Sequence, residues 1–224
     1  MNPVQIGRVR FSEIFWNIID EKTVDAPWGK INEIVDQQQK LRVDADYNTG
    51  SLDEEDAAEL FKLVSFFRPK VIAEVGTFIG VSTRAMREAS SSTEIHTCDV
   101  SNGIQVSPSD TKIFQYPKTS STEMFRQLAE KKIGVDMIYV DGRLSQEDFE
   151  HFPKIIHDQT IFVFDDFEGI EKGVVNAMML EGANRLLIYP REAERRRYHF
   201  HIRCYSSCRR RPHDQVDTGF IQTC

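Results

Sequence analysis

The chain has 224 residues, enough for one well-buried α/β domain with an N-terminal extension but not for two full domains. With 28 Lys and Arg against 35 Asp and Glu, the net charge of -7 argues against a general affinity for nucleic acid or anionic membranes, and no apolar run reaches the length of a bilayer span. The N terminus lacks the charged start, apolar stretch and cleavage site of a secretory signal, so a cytoplasmic location is the default expectation, and the four cysteines are expected to be reduced thiols.

Apolar residues recur at helical spacing in Phe11 to Glu21, Lys30 to Leu41 and Ser51 to Phe67. Ser51 with Glu54 reads as a capping box for the third helix, and Pro69 closes it. The first strand begins at Val71 and runs into a glycine turn, then a helix from Ser82 to about Glu88. Alternation marks Glu94 to Val100 as a second strand and Lys112 to Tyr116 as a third, followed by a helix over Thr122 to Lys131. Val135 to Val140 is a fourth strand, Ser145 opens a helix through Phe152, and Thr160 to Phe164 is a fifth strand. A helix from Glu171 to about Leu180 and a sixth strand, Arg185 to Tyr189, complete the alternation. Strands and helices joined by short connections imply a Rossmann-like, doubly wound, mostly parallel sheet. The expected division is an N-terminal helical extension or lid over 1–50, an α/β domain over 51–205, and a basic tail over 206–224.

The junction Val-Ile-Ala-Glu-Val-Gly-Thr-Phe-Ile-Gly-Val-Ser-Thr at 71–83 is the first functional signal. Gly76 and Gly80 lack a Cβ, so the backbone can turn sharply and lie against a ligand. Ser82 or Thr83 is placed to cap the following helix. Glu74, an anion beside that helix start, would repel a phosphate, so the expected ligand carries positive charge or hydroxyl donors. S-adenosylmethionine has both.

The second signal is a series of acids immediately after apolar strands: Glu74, Asp99, Asp141, Asp165 and Asp166. In a parallel sheet these collect at the rim where ligands bind. Asp99 can accept both ribose hydroxyls of an adenosine bound across the glycine turn. Asp141, Asp165 and Asp166 would repel one another unless protonated or bridged by a cation, and their hard oxygens suit Mg, Mn or Ca better than zinc.

These motifs resemble those of class I S-adenosylmethionine-dependent methyltransferases, in particular the metal-dependent O-methyltransferases of the catechol and caffeoyl-coenzyme A type and the macrocin-like sugar O-methyltransferases. The resemblance rests on Glu-x-Gly-x-x-x-Gly-x-Ser at 74–82, Asp99, Val-Asp-Gly at 140–142 and Phe-Asp-Asp at 164–166, and it covers roughly Ser51 to Tyr189. It implies that Glu74, Gly76, Thr77, Phe78, Gly80, Ser82 and Asp99 line the methyl-donor site and that Asp141, Asp165 and Asp166 hold a divalent cation, Mg or Mn. A small-molecule hydroxyl is the implied acceptor, and a homodimer is admissible. Proteins of this fold usually end in an antiparallel edge strand, for which Tyr198 to Tyr205 is the candidate.

After the fourth-strand aspartate the resembled enzymes carry a lysine or a histidine, whereas this chain has Arg143-Leu144. Asp141 and Arg143 are accordingly the catalytic candidates. An arginine stays protonated near neutral pH and suits an acidic acceptor better than the role of base; His151 and His157 are the substitutes for that role. Two other readings share the first turn. A nicotinamide-dependent oxidoreductase would more often show Gly-x-Gly-x-x-Gly, and a methyltransferase-like binding protein would hold the donor without turnover. Phe15, Trp16 and Trp28 either pack or cover the acceptor site. In the arginine-rich tail, His199, His201, Cys204 and Cys208 are competent zinc ligands without a supporting Cys-x-x-Cys pair.

Overall fold

The computed structural model describes residues 14–23 and 25–165. Residues 14–22 are helical (α1). Helix α2, Trp28–Gln39, buries Ile31, Ile34, Val35 and Gln38, one face of a 3.6-residue period, and a short 3-10 turn over Lys40–Asp44 follows it. Helix α3 is Glu54–Phe67. Its cap is Asp53, whose carboxylate accepts the Asp56 N–H at 2.9 Å, so the expected start at Ser51 is two residues too early. Arg68 ends α3 in the left-handed region, at φ 50°, and returns its N–H to the Val64 carbonyl.

Strand β1 is Val71–Val75, helix α4 Val81–Ala89, β2 Glu94–Asp99 and β3 Ile113–Pro117. Helix α5 is Ser121–Glu130, β4 Met137–Val140, helix α6 Asp148–Ile155 and β5 Ile161–Phe164. The strands form a parallel sheet of order β3-β2-β1-β4-β5, with Glu74 opposite Thr97 and Val75 opposite Cys98. From β1 the chain moves one way to β2 and β3, then crosses back to β4 and β5. Right-handed crossovers then put α4 on one face and α5 and α6 on the other. Packing agrees: α3 lies on α4 with α2 beside both, and α5 lies on α6. The doubly wound expectation is met over these five strands.

Two boundaries move for physical reasons. Val135 donates to the Ile155 carbonyl at the end of α6, so β4 begins only at Met137. Asp148 was expected to lie within a helix begun at Ser145. It is instead the first helical residue, fully buried, and accepts from Ser121 Oγ (2.9 Å), Thr122 Oγ1 (2.6 Å) and the Ser145 N–H (2.8 Å).

Contacts divide the described chain into two units: 19–139 with 144–161, and a smaller one holding 14–18, 140–143 and 162–165. Among the described residues no helix is long and apolar enough to cross a membrane. The helix expected over Glu171 to Leu180, the strands expected over Arg185 to Tyr189 and Tyr198 to Tyr205, and the tail cysteines and histidines lie outside the described residues.

Candidate functional site

The larger unit places the whole glycine turn between the ends of β1 and β2. Gly76 (φ 99°) and Thr77 both donate their N–H groups to the Cys98 carbonyl, at 2.9 and 3.2 Å. Gly80 (φ 79°) donates to the Thr77 carbonyl at 2.7 Å and is the first residue before α4. A Cβ on Gly80 would lie 2.7 Å from Cβ and Cγ1 of Val106, so both the backbone angle and the space require glycine there. Phe78 adopts φ 44° without being glycine. Its N–H donates to Asp99 Oδ2 at 2.9 Å and its carbonyl accepts from Asn102 Nδ2 at 2.7 Å, two bonds that hold the turn against the loop after β2.

Ser82 and Thr83, expected as caps, do something else. Helix α4 has no side-chain cap, and both hydroxyls donate to Glu74, Ser82 Oγ to Oε1 and Thr83 Oγ1 to Oε2, each at 2.5 Å. Glu74 is fully buried, and burial pushes its pKa up to about 7 against the pull of those hydroxyls. The carboxylate therefore sits inside the joint between β1 and α4 rather than at an open rim. Within the turn, the N–H groups of Gly76, Thr77, Phe78 and Gly80 are all bonded inside the protein.

Asp99 ends β2 and is 4% exposed. Oδ1 accepts from the N–H groups of Ser101 (2.9 Å) and Asn102 (2.8 Å), while Oδ2 accepts from Phe78 N–H and from the Tyr47 hydroxyl, both at 2.9 Å. The Tyr47 and Phe78 rings lie 5.2 Å apart, and the Arg42 guanidinium stands 5.0 Å from the centre of the Phe78 ring. From α2, Gln38 donates its amide to the Ile79 carbonyl at 2.6 Å, bracing the turn from behind. Thr77 and Thr97 join hydroxyls at 2.6 Å beneath it. Beside the Asp99 loop lies a cavity of about 480 Å³ lined by Leu41, Asp44, Asp46, Gly103, Ile104 and Lys118, among others.

Every residue proposed for the donor site thus gathers in one place: Glu74, Gly76, Thr77, Phe78, Gly80, Ser82 and Asp99. Tyr47, Asn102 and Gln38 join them with no local signal in the sequence, since their partners lie 52, 24 and 41 residues away.

The acids of the smaller unit are placed less completely. Asp165 donates its N–H to the Val140 carbonyl at 3.0 Å, so Asp141 and Asp165 follow adjacent strands. Asp166 lies outside the described residues, and among those described no three His, Cys, Asp or Glu side chains gather as a metal-binding group. Arg143 is exposed. His157 is bonded to Asp136 at 3.1 Å, and Asp136 precedes β4. That is the amino-terminal end of the strands, which removes His157 from the candidates for a base. His151 lies on α6, near Glu123 of α5. Trp16 is buried, with the Phe15 ring packed edge-on against it, whereas Trp28 is half exposed.

No protein-family model matches the chain, and no curated protein matches it in sequence. Among solved structures it is similar to a protein assigned as a caffeoyl-CoA O-methyltransferase from Staphylococcus aureus, at 13% identity and a TM-score of 0.52, covering 80% of this chain and 93% of that one. An O-methyltransferase from Bacillus cereus, solved with SAH, aligns over 73% of this chain and 75% of its own at 15% identity and a TM-score of 0.49. The first likeness shows a shared fold, the one that the motifs at 74–82 and Asp99 resemble.

Proposed function

We propose that the chain is an S-adenosylmethionine-dependent methyltransferase acting on a hydroxyl of a small molecule. The observation that carries this is the Asp99 carboxylate. It closes β2 one hydrogen bond from the glycine turn, at the strand rim where a ribose hydroxyl can be accepted. The turn has two glycines separated by three residues rather than a Gly-x-Gly-x-x-Gly run, which counts against a nicotinamide dinucleotide. When bound, the donor supplies a methyl group on a positively charged sulfur, for which the acceptor oxygen needs mainly correct alignment.

Methyl transfer to a hydroxyl releases one proton. Asp141, following β4, is proposed to receive it, and Arg143 to orient an acidic acceptor. Asp141, Asp165 and Asp166 together offer the hard oxygen set that a divalent cation prefers, and such an ion would lower the pKa of the acceptor hydroxyl. One observation favours a second reading, donor binding without turnover. Arg143 stands where the resembled enzymes carry a lysine or histidine, and arginine does not serve as a base near neutral pH.

Calorimetry with S-adenosylhomocysteine tests the donor site directly. Micromolar-range binding by the wild type and its loss in Asp99→Ala support the proposal, whereas the absence of heat in the wild type refutes it. Release of S-adenosylhomocysteine in the presence of phenols, sugars and acyl thioesters separates the two readings. Loss of that turnover in EDTA and its recovery on adding Mg or Mn, with donor binding retained throughout, would support the cation, while Asp141→Ala tests the proton acceptor.

A further inference from the structure

We propose that Tyr47 is a self-occupying gate on Asp99: its phenol fills the hydrogen-bonding position that a ribose hydroxyl would take, and the strap from Arg42 to Tyr47 must lift before an adenosine-bearing donor can enter. This rests on Asp99 being the ribose-binding carboxylate.

A carboxylate offers about four lone-pair positions, and Asp99 has four donors on it. Three are backbone N–H groups, from Phe78, Ser101 and Asn102, fixed by the turn and by the loop after β2. The fourth, the Tyr47 hydroxyl, is the one side-chain donor. It comes from a segment that is neither α-helix nor strand, so it is the donor a ligand can displace without unfolding the turn.

The strap is built to come away. No residue of the 3-10 turn Lys40–Asp44 is buried, and Val43 is 86% exposed. Besides the Tyr47–Phe78 ring contact, its other holds are polar or partly solvated: Arg42 against the Phe78 ring, Asp46 on the Gly103 N–H at 2.9 Å, and the Asp46–Lys118 ion pair at 3.4 Å between half-exposed side chains. The cavity lined by Leu41, Asp46, Gly103 and Lys118 gives the strap open space on its flank. A closed gate leaves only a fraction of molecules competent to bind, and the apparent affinity falls by that fraction.

Tyr47→Phe keeps the ring on Phe78 and removes only the hydroxyl. S-adenosylhomocysteine should then bind about tenfold tighter than to the wild type, the scale of one hydrogen bond to a charged group. Asp46→Asn, which loosens the strap without touching Asp99, should tighten binding by a smaller factor. In stopped flow, the observed rate for the wild type should plateau with ligand concentration, and the plateau should rise in Tyr47→Phe, a change that a purely structural tyrosine would not produce. If the wild type binds and Tyr47→Phe binds equally or more weakly, the gate is refuted while the donor site stands. If neither protein binds S-adenosylhomocysteine, the donor site itself is refuted and the gate with it.

Discussion

Glu74 and Asp99 end up on neighbouring strands of one sheet, both buried and both acids near a strand's carboxyl end; they are nonetheless opposites. Glu74 is bonded by two side-chain hydroxyls that belong to α4, and burial keeps its pKa near 7. Asp99 is bonded by three backbone N–H groups and a phenol, from the turn, from its own loop and from the strap. What separates a structural carboxylate from one prepared for a ligand is the origin of its donors. Hydroxyls inside a helix joint have nowhere else to go, while a phenol on an exposed strap can be exchanged for another hydroxyl.

The largest expected effect tests the Asp99 side of this contrast. Asp99→Ala strands three N–H groups and a phenol, and should cost about 3 kcal/mol or more by urea denaturation together with the loss of donor binding. Gly80→Ala should follow, at about 2 kcal/mol, because the new Cβ meets Val106 at a left-handed backbone angle. Val106→Ala in the same chain should recover part of that loss, and no recovery would mean the backbone angle alone is responsible.

The Glu74 side is tested by pH. Its folded pKa, about 7, lies above the unfolded value of 4.5, so its contribution to stability is full below 4.5 and is lost as pH rises to about 7. His96, buried on β2 and stacked 4.7 Å from the Phe114 ring, runs the other way. Burial lowers its pKa from 6.5 to about 4, so its contribution is present above 6.5 and is lost as pH falls towards 4. Between pH 4.5 and 6.5 the two slopes oppose each other. The wild-type unfolding free energy should be nearly flat there, that of Glu74→Gln should rise with pH, and that of His96→Gln should fall, each by about 2 kcal/mol across the window. Parallel profiles for all three proteins would show that neither group carries its shift. The smallest effect belongs to Thr83→Val, about 1 kcal/mol for one lost bond to Glu74, and Glu74→Gln should make it smaller still.

The sheet was legible because β1, β4 and β5 are largely apolar runs of strand length, as buried strands of a parallel sheet are written, while β2 showed itself by alternation. The turn was legible through Gly76 and Gly80, which no other residue can replace without strain or collision. What Ser82, Thr83 and Glu74 do was not legible. A hydroxyl after a glycine at a helix start has the same local signature whether it caps the helix or turns back to a strand, and only the packing of α4 on β1 decides. Asp53 as the true cap of α3 was missed for a related reason, since Ser51-Leu52-Asp53-Glu54 offers two acceptors within three residues of each other. Tyr47 carries no sign of its role at all, because that role exists only once Asp99 is beside it.

Gln38 extends this to the order of events in folding. Its amide closes on the Ile79 carbonyl across 41 residues, and Tyr47 reaches Asp99 across 52. Contacts of that span form late, after local helices and after the entropy of closing the intervening loop has been offset. The nine residues from Glu74 to Ser82 look like the most self-contained stretch of the chain. Their amides should nevertheless gain protection from hydrogen exchange only once β2 has paired, since Gly76 and Thr77 donate to Cys98 and Phe78 donates to Asp99.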